Sequence, residues 1–246
     1  MAQYATEAVI IGIKNMGEAD KAVTLLSPEK GRIQAIAFGC RRTKSPLAGA
    51  LQMFNQVDIQ LSEGDHWDTV RQCSVKTNYK IMTSDFVAMA YGSFVAEITG
   101  RLSIEKFPQQ DMYQKLLEIL GAFGSRNPRI VALAAAYQLL EYSGMQLMYE
   151  HCVCCNQEMT GDGWFSLSQG GALCPKCSGQ GNQGNLPYPQ ALQEFLLQLI
   201  DLDWQQEPSF RVSGKVLLAA EDLMLQYLHH IFERPMKSLQ FIQQIG

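Results

Sequence analysis

Several features that define common protein classes are missing from this sequence of 246 residues. No apolar run reaches the roughly 20 residues needed to cross a bilayer. The first residues do not join a basic segment to an apolar one, so no secretory leader is expected. Histidine is scarce, with four residues, and none has the neighbouring Ser or carboxylate pattern of a catalytic triad. Neither glycine-rich phosphate motif, G-x-x-x-x-G-K-[ST] or G-x-G-x-x-G, is present. We therefore expect a cytoplasmic protein without catalytic activity.

Charge is unevenly distributed along the chain, although the net charge is only −4. Residues 1–80 contain ten Lys or Arg and eight Asp or Glu, a balance of +2. Residues 81–246 contain ten and sixteen, a balance of −6. Within the first part, residues 30–44 contain five cations and no acid. This asymmetry predicts an anion-binding N-terminal module on an otherwise acidic chain.

The first eighty residues show the alternation and turn signals of short β-strands. Pro28 and Gly31 indicate a tight turn, because proline sets φ and glycine accepts a positive φ. Five short strands without a long helix between them predict a small closed barrel, and the OB-fold is a common solution that often binds single strands. The predicted strands are residues 4–14, 21–26, 32–38, 56–61 and 67–75, with a basic loop at 39–51.

Beyond residue 84 the apolar residues recur at helical spacing. The helices are expected to form one bundle, made of residues 81–148 and 186–246, with residues 149–185 inserted as a separate ribbon. Residues 179–185, rich in Gly, Asn and Gln, are expected to be a flexible linker. The residues expected to start or end helices are Ser84 or Asp85, Gly100, Gly124, Pro128, Pro189, Ser213 and Pro235.

Two Cys-x-x-Cys pairs lie in the third quarter of the chain. Their members are Cys152, Cys155, Cys174 and Cys177, with eighteen residues between the pairs. Each pair can direct two thiolates at one point, and two facing pairs form the tetrahedral sulfur cage that suits structural Zn²⁺. The spacer fits a zinc ribbon, since it alternates around Trp164 and then reaches Gly170 and Gly171, which indicate a turn.

Other interpretations of the cysteines remain open. Cys-x-x-Cys also occurs in thiol oxidoreductases, although two pairs without a βαβ pattern around them argue against a redox dithiol. Seven cysteines, an odd number, argue against a set of disulfides. Cys154 could replace Cys155 as a ligand, but it would form a tighter bite with Cys152. His151 is a weaker substitute ligand.

The cations of the N-terminal module are candidate phosphate contacts, since arginine reaches two oxygens of one phosphate. An ordinary solvated loop is the alternative. The basic loop must fold across the barrel if it is to share one surface with the predicted hairpin turn. Tyr4, Phe38, Phe54 and Trp67 could stack on bases, although each is more often a core residue. The candidate nucleic-acid contacts are Lys30, Arg32, Arg41, Arg42, Lys44 and Arg71.

Taken from end to end, the chain resembles the RecO family of recombination mediators. Near the N-terminus, Gly17 to Leu25 is similar to the family's G-E-x-D-x-x-x-T-L segment, and Gly31 to Ser45 is similar to its basic glycine-containing segment. The remaining matches are Leu51-Gln52-Met53-Phe54, Cys152-Val153-Cys154-Cys155, Phe165-Ser166, Gly170-Gly171-Ala172-Leu173-Cys174 and Arg234-Pro235-Met236-Lys237-Ser238. Asn156 stands where glycine is common in the family.

The resemblance implies an α+β protein with an OB-fold at residues 1–80, a helical bundle and a zinc finger. It also implies a non-enzymatic activity: binding single- and double-stranded DNA, annealing complementary strands, and acting with RecR to replace single-strand-binding protein by recombinase. The acidic tail of single-strand-binding protein would need a cation near a helix N-terminus, and Arg126 and Arg129 are the candidates. The alternative function is a zinc-ribbon scaffold whose barrel binds RNA or protein in another pathway.

Overall fold

The computed structural model describes residues 2–145, 147–179, 184–206 and 211–242. The chain divides into two compact units, Met1–Ala132 with Lys237–Gly246, and Leu133–Met236. In the described part of the chain, no helix combines the length and apolarity needed to cross a membrane.

The first unit begins with a closed five-stranded barrel in the order β1-β2-β3-β5-β4. Neighbouring strands are antiparallel, except for β3 and β5, which close the barrel in parallel. The prediction of an N-terminal OB-fold is confirmed. The strands are β1 (Gln3–Met16), β2 (Asp20–Ser27), β3 (Gly31–Ala37), β4 (Gln56–Ser62) and β5 (Asp68–Thr77).

The barrel core follows from the alternation of apolar and polar residues. In β3, Ile33, Ala35 and Ala37 are at most 3% exposed, whereas the residues between them are partly exposed. Because successive side chains of a strand point to opposite faces, the first set faces inward and the second set faces outward. The inward set packs with apolar residues of the other strands in one cluster, which includes Ile10 and Leu25.

A segment that follows the first long helix docks on the β2–β3 turn. We call residues 104–109 the clasp. The Arg32 N–H donates to the Ile104 carbonyl at 3.0 Å, and the Gln109 N–H donates to the Pro28 carbonyl at 2.9 Å. Gly31 has φ +60°, and a Cβ there would lie 2.2 Å from the Phe107 carbonyl oxygen. Glycine is therefore required both by the turn and by the clasp.

Three helices and the start of a fourth complete the N-terminal part of the first unit. They are α1 (Ile81–Ser84), α2 (Phe86–Leu102), α3 (Gln110–Ala122) and α4 (Pro128–Tyr142). Asp85 caps α2 by accepting the Ala88 N–H at 2.9 Å, and Pro128 opens α4, as predicted. The expectation that Gly100 ends α2 is wrong, because the helix continues to Leu102, whose side chain is buried. A glycine inside a helix costs only about 1 kcal/mol.

The last described helix, α7 (Lys237–Ile242), packs on α2. Glu97 of α2 accepts hydrogen bonds from the Ser238 N–H at 2.8 Å, from the Ser238 hydroxyl at 2.7 Å and from the Lys237 N–H at 3.2 Å. The two backbone N–H groups are donors that a helix start leaves without an intrahelical partner. The side chain of Phe241, which the sequence places on this helix, lies outside the described residues.

The described part of the second unit contains the rest of α4, a three-stranded sheet in the order β7-β6-β8, and two further helices. Its elements are β6 (Gly163–Ser166), β7 (Gly171–Leu173), β8 (Leu186–Tyr188), α5 (Gln190–Ile200) and α6 (Gly214–Phe232). The strand at Trp164 and the turn at Gly170, with φ +66°, were predicted. Ser213 caps α6 by accepting the Val216 N–H at 3.3 Å. Most of the predicted linker, residues 180–183, lies outside the described residues.

One buried amide organises the end of α5. The Gln138 Nε2 donates to the carbonyls of Leu199, Ile200 and Leu202 at 3.2, 3.0 and 2.9 Å. Its Oε1 accepts the Trp204 Nε1–H at 2.7 Å. These carbonyls lie at and just beyond the helix C-terminus, where no intrahelical donor is available. Gln138 therefore satisfies polar groups that would otherwise be buried without a partner.

Candidate metal centre and nucleic-acid surface

The two Cys-x-x-Cys pairs meet in the second unit. The sulfur atoms of Cys152, Cys155, Cys174 and Cys177 all lie within 4.8 Å of one another. The Sγ atoms of Cys155 and Cys174, one from each pair, are 3.8 Å apart. Four thiols at this spacing could hold a metal ion. The structure thus brings together the four ligands predicted from the spacing.

Tight turns aim these thiols at one another. The Asn156 N–H donates to the Cys152 carbonyl at 2.8 Å, and the Cys177 N–H donates to the Cys174 carbonyl at 3.0 Å. Asn156 has φ +58°, a conformation that asparagine tolerates better than most residues. Cys154 and His151 are exposed, and neither belongs to the group of four. The geometry therefore favours Cys155 as the ligand.

Backbone amides favour the ionised form of one ligand. Burial by itself raises the pKa of the Cys152 thiol, but the N–H groups of Cys174, Cys155 and Cys154 outweigh it and lower the pKa to about 6. Across the cluster, the neighbouring thiols of Cys155 and Cys174 raise the pKa of Cys177. A cluster in which one thiolate opposes the ionisation of another is one that a divalent cation would stabilise.

The basic loop lies at the end of the barrel where β3 stops. The Arg41 N–H donates to the Ala19 carbonyl at 2.9 Å, and its guanidinium donates to the Gly17 carbonyl at 3.1 Å. The side chains of Arg41, Arg42 and Lys44 are exposed. The loop is thereby attached to the β1–β2 turn, and it presents three cations to solvent.

Lys30 and Arg32 lie at the opposite end of β3. The seven residues of that strand separate the two ends by roughly 20 Å. Arg32 is engaged within the fold, since its Nη1 donates to the Gly100 carbonyl at 2.7 Å and its Nη2 lies 3.6 Å from a Glu105 oxygen. The Lys30 Nζ lies 5.1 Å from the centre of the Tyr4 ring. The length of β3 keeps the exposed cations of the basic loop apart from Lys30 and Arg32, so the five cations do not lie at one place on the barrel.

Arg71 lies on β5 and is exposed. Its Nε donates to the Ser62 hydroxyl at 2.7 Å. The proposed partner-binding residues lie at the start of α4, Arg126 just before it and Arg129 in its first turn, and both are partly buried. The Arg129 N–H donates to the Asn127 side-chain oxygen at 3.0 Å. The structure thus places both arginines where a helix N-terminus would attract an anion.

The four aromatic residues of the barrel divide into two pairs. Phe54 is buried and Tyr4, which donates to Asp68, is partly buried. In contrast, Phe38 is 60% exposed and Trp67 is 41% exposed. Alternation along β3 could have revealed the exposure of Phe38, because Arg32, Gln34 and Ile36 face outward and Phe38 continues that series.

The fold and the two sites together define a class: OB-fold proteins whose helical C-terminal part carries a four-cysteine cluster. Residues 1–79 match the family model "Recombination protein O N terminal", and residues 83–240 match "Recombination protein O C terminal". The chain belongs to the RecO family of DNA repair proteins.

Relatives from several bacteria are similar over nearly their whole length, and each of the three described here is named DNA repair protein RecO. The protein from Symbiobacterium thermophilum is 31% identical over 250 residues, covering 100% of this chain and 98% of the relative. The protein from a Nocardioides species is 31% identical, covering 98% of this chain and 99% of the relative. The protein from Bifidobacterium animalis is 30% identical, covering 98% and 100%.

Proposed function

We propose that this protein is a non-enzymatic mediator of homologous recombination that binds single- and double-stranded DNA and anneals complementary strands. The observation that carries the proposal is the exposed cationic loop of Arg41, Arg42 and Lys44 on an OB-fold barrel. Arginine binds two phosphate oxygens at once, and cations that contact phosphates release counterions. The proposed DNA contacts are these three residues, Arg71 on β5 and Lys30 at the end of the barrel opposite the loop. Arg32 contributes less, because its guanidinium is engaged by Gly100 and Glu105.

The partners that we propose follow from family membership. They are RecR, the acidic tail of single-strand-binding protein and, indirectly, the recombinase that is loaded onto DNA. Arg126 and Arg129 are the proposed cations for the acidic tail, supported by their position at the start of α4. The protein would act in the cytoplasm, associated with the nucleoid. We further propose that the domains follow residues 1–80, 81–148 with 186–246, and 149–185.

The metal that we propose is zinc, in a structural role. Four Zn–S bonds of about 2.3 Å in a tetrahedron place the sulfurs about 3.8 Å apart, which agrees with the Cys155–Cys174 separation of 3.8 Å. The soft all-thiolate donor set selects zinc over harder divalent ions. With four protein ligands, the ion would have no open position for water or substrate, so its contribution would be to folding.

A salt titration of DNA affinity tests the function. On single strands, the slope of log K against log [salt] should fall by about 0.7 for each phosphate that the protein no longer neutralises. Replacing Arg41, Arg42 and Lys44 by Ala should therefore lower the slope by about 2 and weaken binding with little dependence on sequence. The thermal melt should barely change, since all three side chains are exposed.

The control is a second triple-alanine variant with the same change in net charge. It replaces Lys106, Lys176 and Lys215, which are exposed and are not among the proposed DNA contacts. It should keep the slope of the unmodified protein. Equal slopes for both triple variants would show that the basic loop is only solvated. If the unmodified chain showed no salt-dependent binding, the DNA-binding function itself would be refuted. Binding of a folded RNA or a protein instead would favour the scaffold alternative.

A further inference from the structure

The outer face of the barrel carries a strip where β3 meets β5. Ile36 pairs with Thr69, and both are partly exposed, whereas their neighbours along each strand are buried. Alternation then places every second residue of the two strands on the outer face. We call these residues the β3–β5 strip. They are Gln34, Ile36, Phe38, Trp67, Thr69 and Arg71.

Two large aromatic side chains of the strip face solvent. Phe38, one residue after β3, is 60% exposed, and Trp67, one residue before β5, is 41% exposed. Both rings lie just outside the paired part of the seam, Trp67 one residue before Asp68 and Phe38 two residues after Ile36. At 3.3 Å per residue, the two aromatic positions are about 13 Å apart along the seam. Two exposed rings on one sheet face form an apolar surface that needs a partner with flat π-faces or apolar groups.

The charges on and around the strip indicate which kind of partner would bind these two rings. None of its six residues is acidic, and Arg71 is a cation. The Arg42 side chain lies over Gly39, next to Phe38, since a Cβ on Gly39 would be 3.7 Å from the Arg42 Nε. Asp68 follows Trp67, but it is only 4% exposed, and its carboxylate accepts the Tyr4 hydroxyl and the Gly64 N–H. Asp65 lies in the turn before Trp67, and the Asp20 carboxylate accepts the Gly39 N–H at 2.7 Å. Aromatic rings flanked by arginines match a partner that combines flat bases with phosphates.

We propose that the β3–β5 strip is a base-stacking track for single-stranded DNA, and that Phe38 and Trp67 give the protein a preference for single strands over duplex. This inference rests on the proposed DNA-binding function and adds the mode of recognition to it. Cations of the basic loop would hold phosphates of either form. Only an unpaired strand can turn its bases onto the rings, because the bases of a duplex are already stacked and paired.

The test measures the affinity of a Phe38→Ala variant for a dT oligonucleotide and for a duplex of the same length. Loss of the Phe38 ring removes one stacking contact. The dissociation constant for the oligonucleotide should therefore rise roughly fivefold or more. The duplex affinity should be unchanged. Phe107→Ala is the matched control, because Phe107 is 57% exposed and lies on the clasp. It should bind both forms as the unmodified protein does.

Two further variants separate stacking from simple apolar contact. Phe38→Tyr keeps the ring and should retain single-strand affinity, whereas Phe38→Leu keeps apolar bulk without a ring and should lose it. The stacking track is refuted if Phe38→Leu binds as tightly as the unmodified protein, or if Phe38→Ala weakens single-strand and duplex binding equally. If Phe38→Ala binds the oligonucleotide as tightly as Phe107→Ala does, and the unmodified chain still binds DNA, the stacking track is refuted but the DNA-binding function is not. If the unmodified chain binds neither single-stranded nor duplex DNA, both the stacking track and the DNA-binding function are refuted.

Discussion

At the scale of single residues, Gln138 is a buried polar side chain that stabilises the second unit. It is 3% exposed and serves three carbonyls and one indole N–H. Gln138→Leu keeps the volume but leaves those groups unsatisfied, so we expect a loss of about 3 kcal/mol in the free energy of unfolding. Urea unfolding followed by tryptophan fluorescence would measure it. Gln190→Leu, the same change at an exposed position, should cost far less, and equal costs would contradict the assigned role.

Glu97 gives the attachment of α7 a pH dependence. Partial burial raises the pKa of its carboxyl, but the Ser238 N–H and hydroxyl, Arg101 and the Lys237 N–H outweigh it, so the pKa lies below the ordinary 4.5. A depressed pKa contributes stability above the unfolded-state value, and that stability is lost as pH falls through the folded-state value. Glu97→Gln should thus cost about 1–2 kcal/mol at neutral pH.

The corresponding measurement is the free energy of unfolding of the unmodified protein and of the Glu97→Gln variant, each followed from neutral to acidic pH. The difference between the two proteins should shrink below pH 4.5 as the native carboxylate becomes protonated. Glu118→Gln serves as the reference, since Glu118 pairs with Lys115 within α3 at 2.8 Å and its side chain is 39% exposed. A difference that stays constant across the range would show that the Glu97 charge does not stabilise α7.

At the scale of elements, the four-cysteine ribbon is the part that depends on a metal. Its three short strands bury Phe165, Leu173 and Tyr188, so a bound ion would chiefly order the two turns that carry the cysteines. Elemental analysis should find one zinc per chain, lost in Cys174→Ser and kept in Cys154→Ser, whose side chain is exposed and outside the cluster. Loss of zinc from Cys154→Ser with retention in Cys155→Ser would mean that Cys154 is the ligand.

Elements with strong local signals were predictable, and those fixed by distant contacts were not. The strands of the barrel were recognised because period-two alternation and the Pro28–Gly31 turn are local. The strand β8, only three residues long and containing Pro187, has no such signal and is a strand because it pairs with β6. Likewise, Arg32 looked like a phosphate ligand, since nothing local reveals that it bonds the Gly100 carbonyl, 68 residues away.

At the scale of the whole molecule, the barrel carries its exposed charges unevenly between its two ends. The exposed cations of the basic loop lie at one end, whereas the other end groups Tyr4, Lys30 and His66 with the acids Glu63, Asp68 and Glu105. Sequence alone could count these charges but could not assign them to ends, because that depends on which turn each loop contacts. The cluster of four cysteines was predictable, because the spacing of the two Cys-x-x-Cys pairs in the sequence is itself a local signal.

The clasp on the β2–β3 turn has a consequence for how freely this protein can vary. At Gly31 two independent demands coincide, a left-handed backbone and carbonyl oxygens 2.2 and 2.4 Å from where a Cβ would sit. A nearby change that moved the carbonyl oxygens would leave the left-handed backbone, and the reverse also holds. Compensating changes nearby therefore cannot make alanine acceptable at position 31. In a library randomised at every position and selected for folded protein, position 31 should retain only glycine. Gly17, which also has positive φ but an open surround, should accept asparagine.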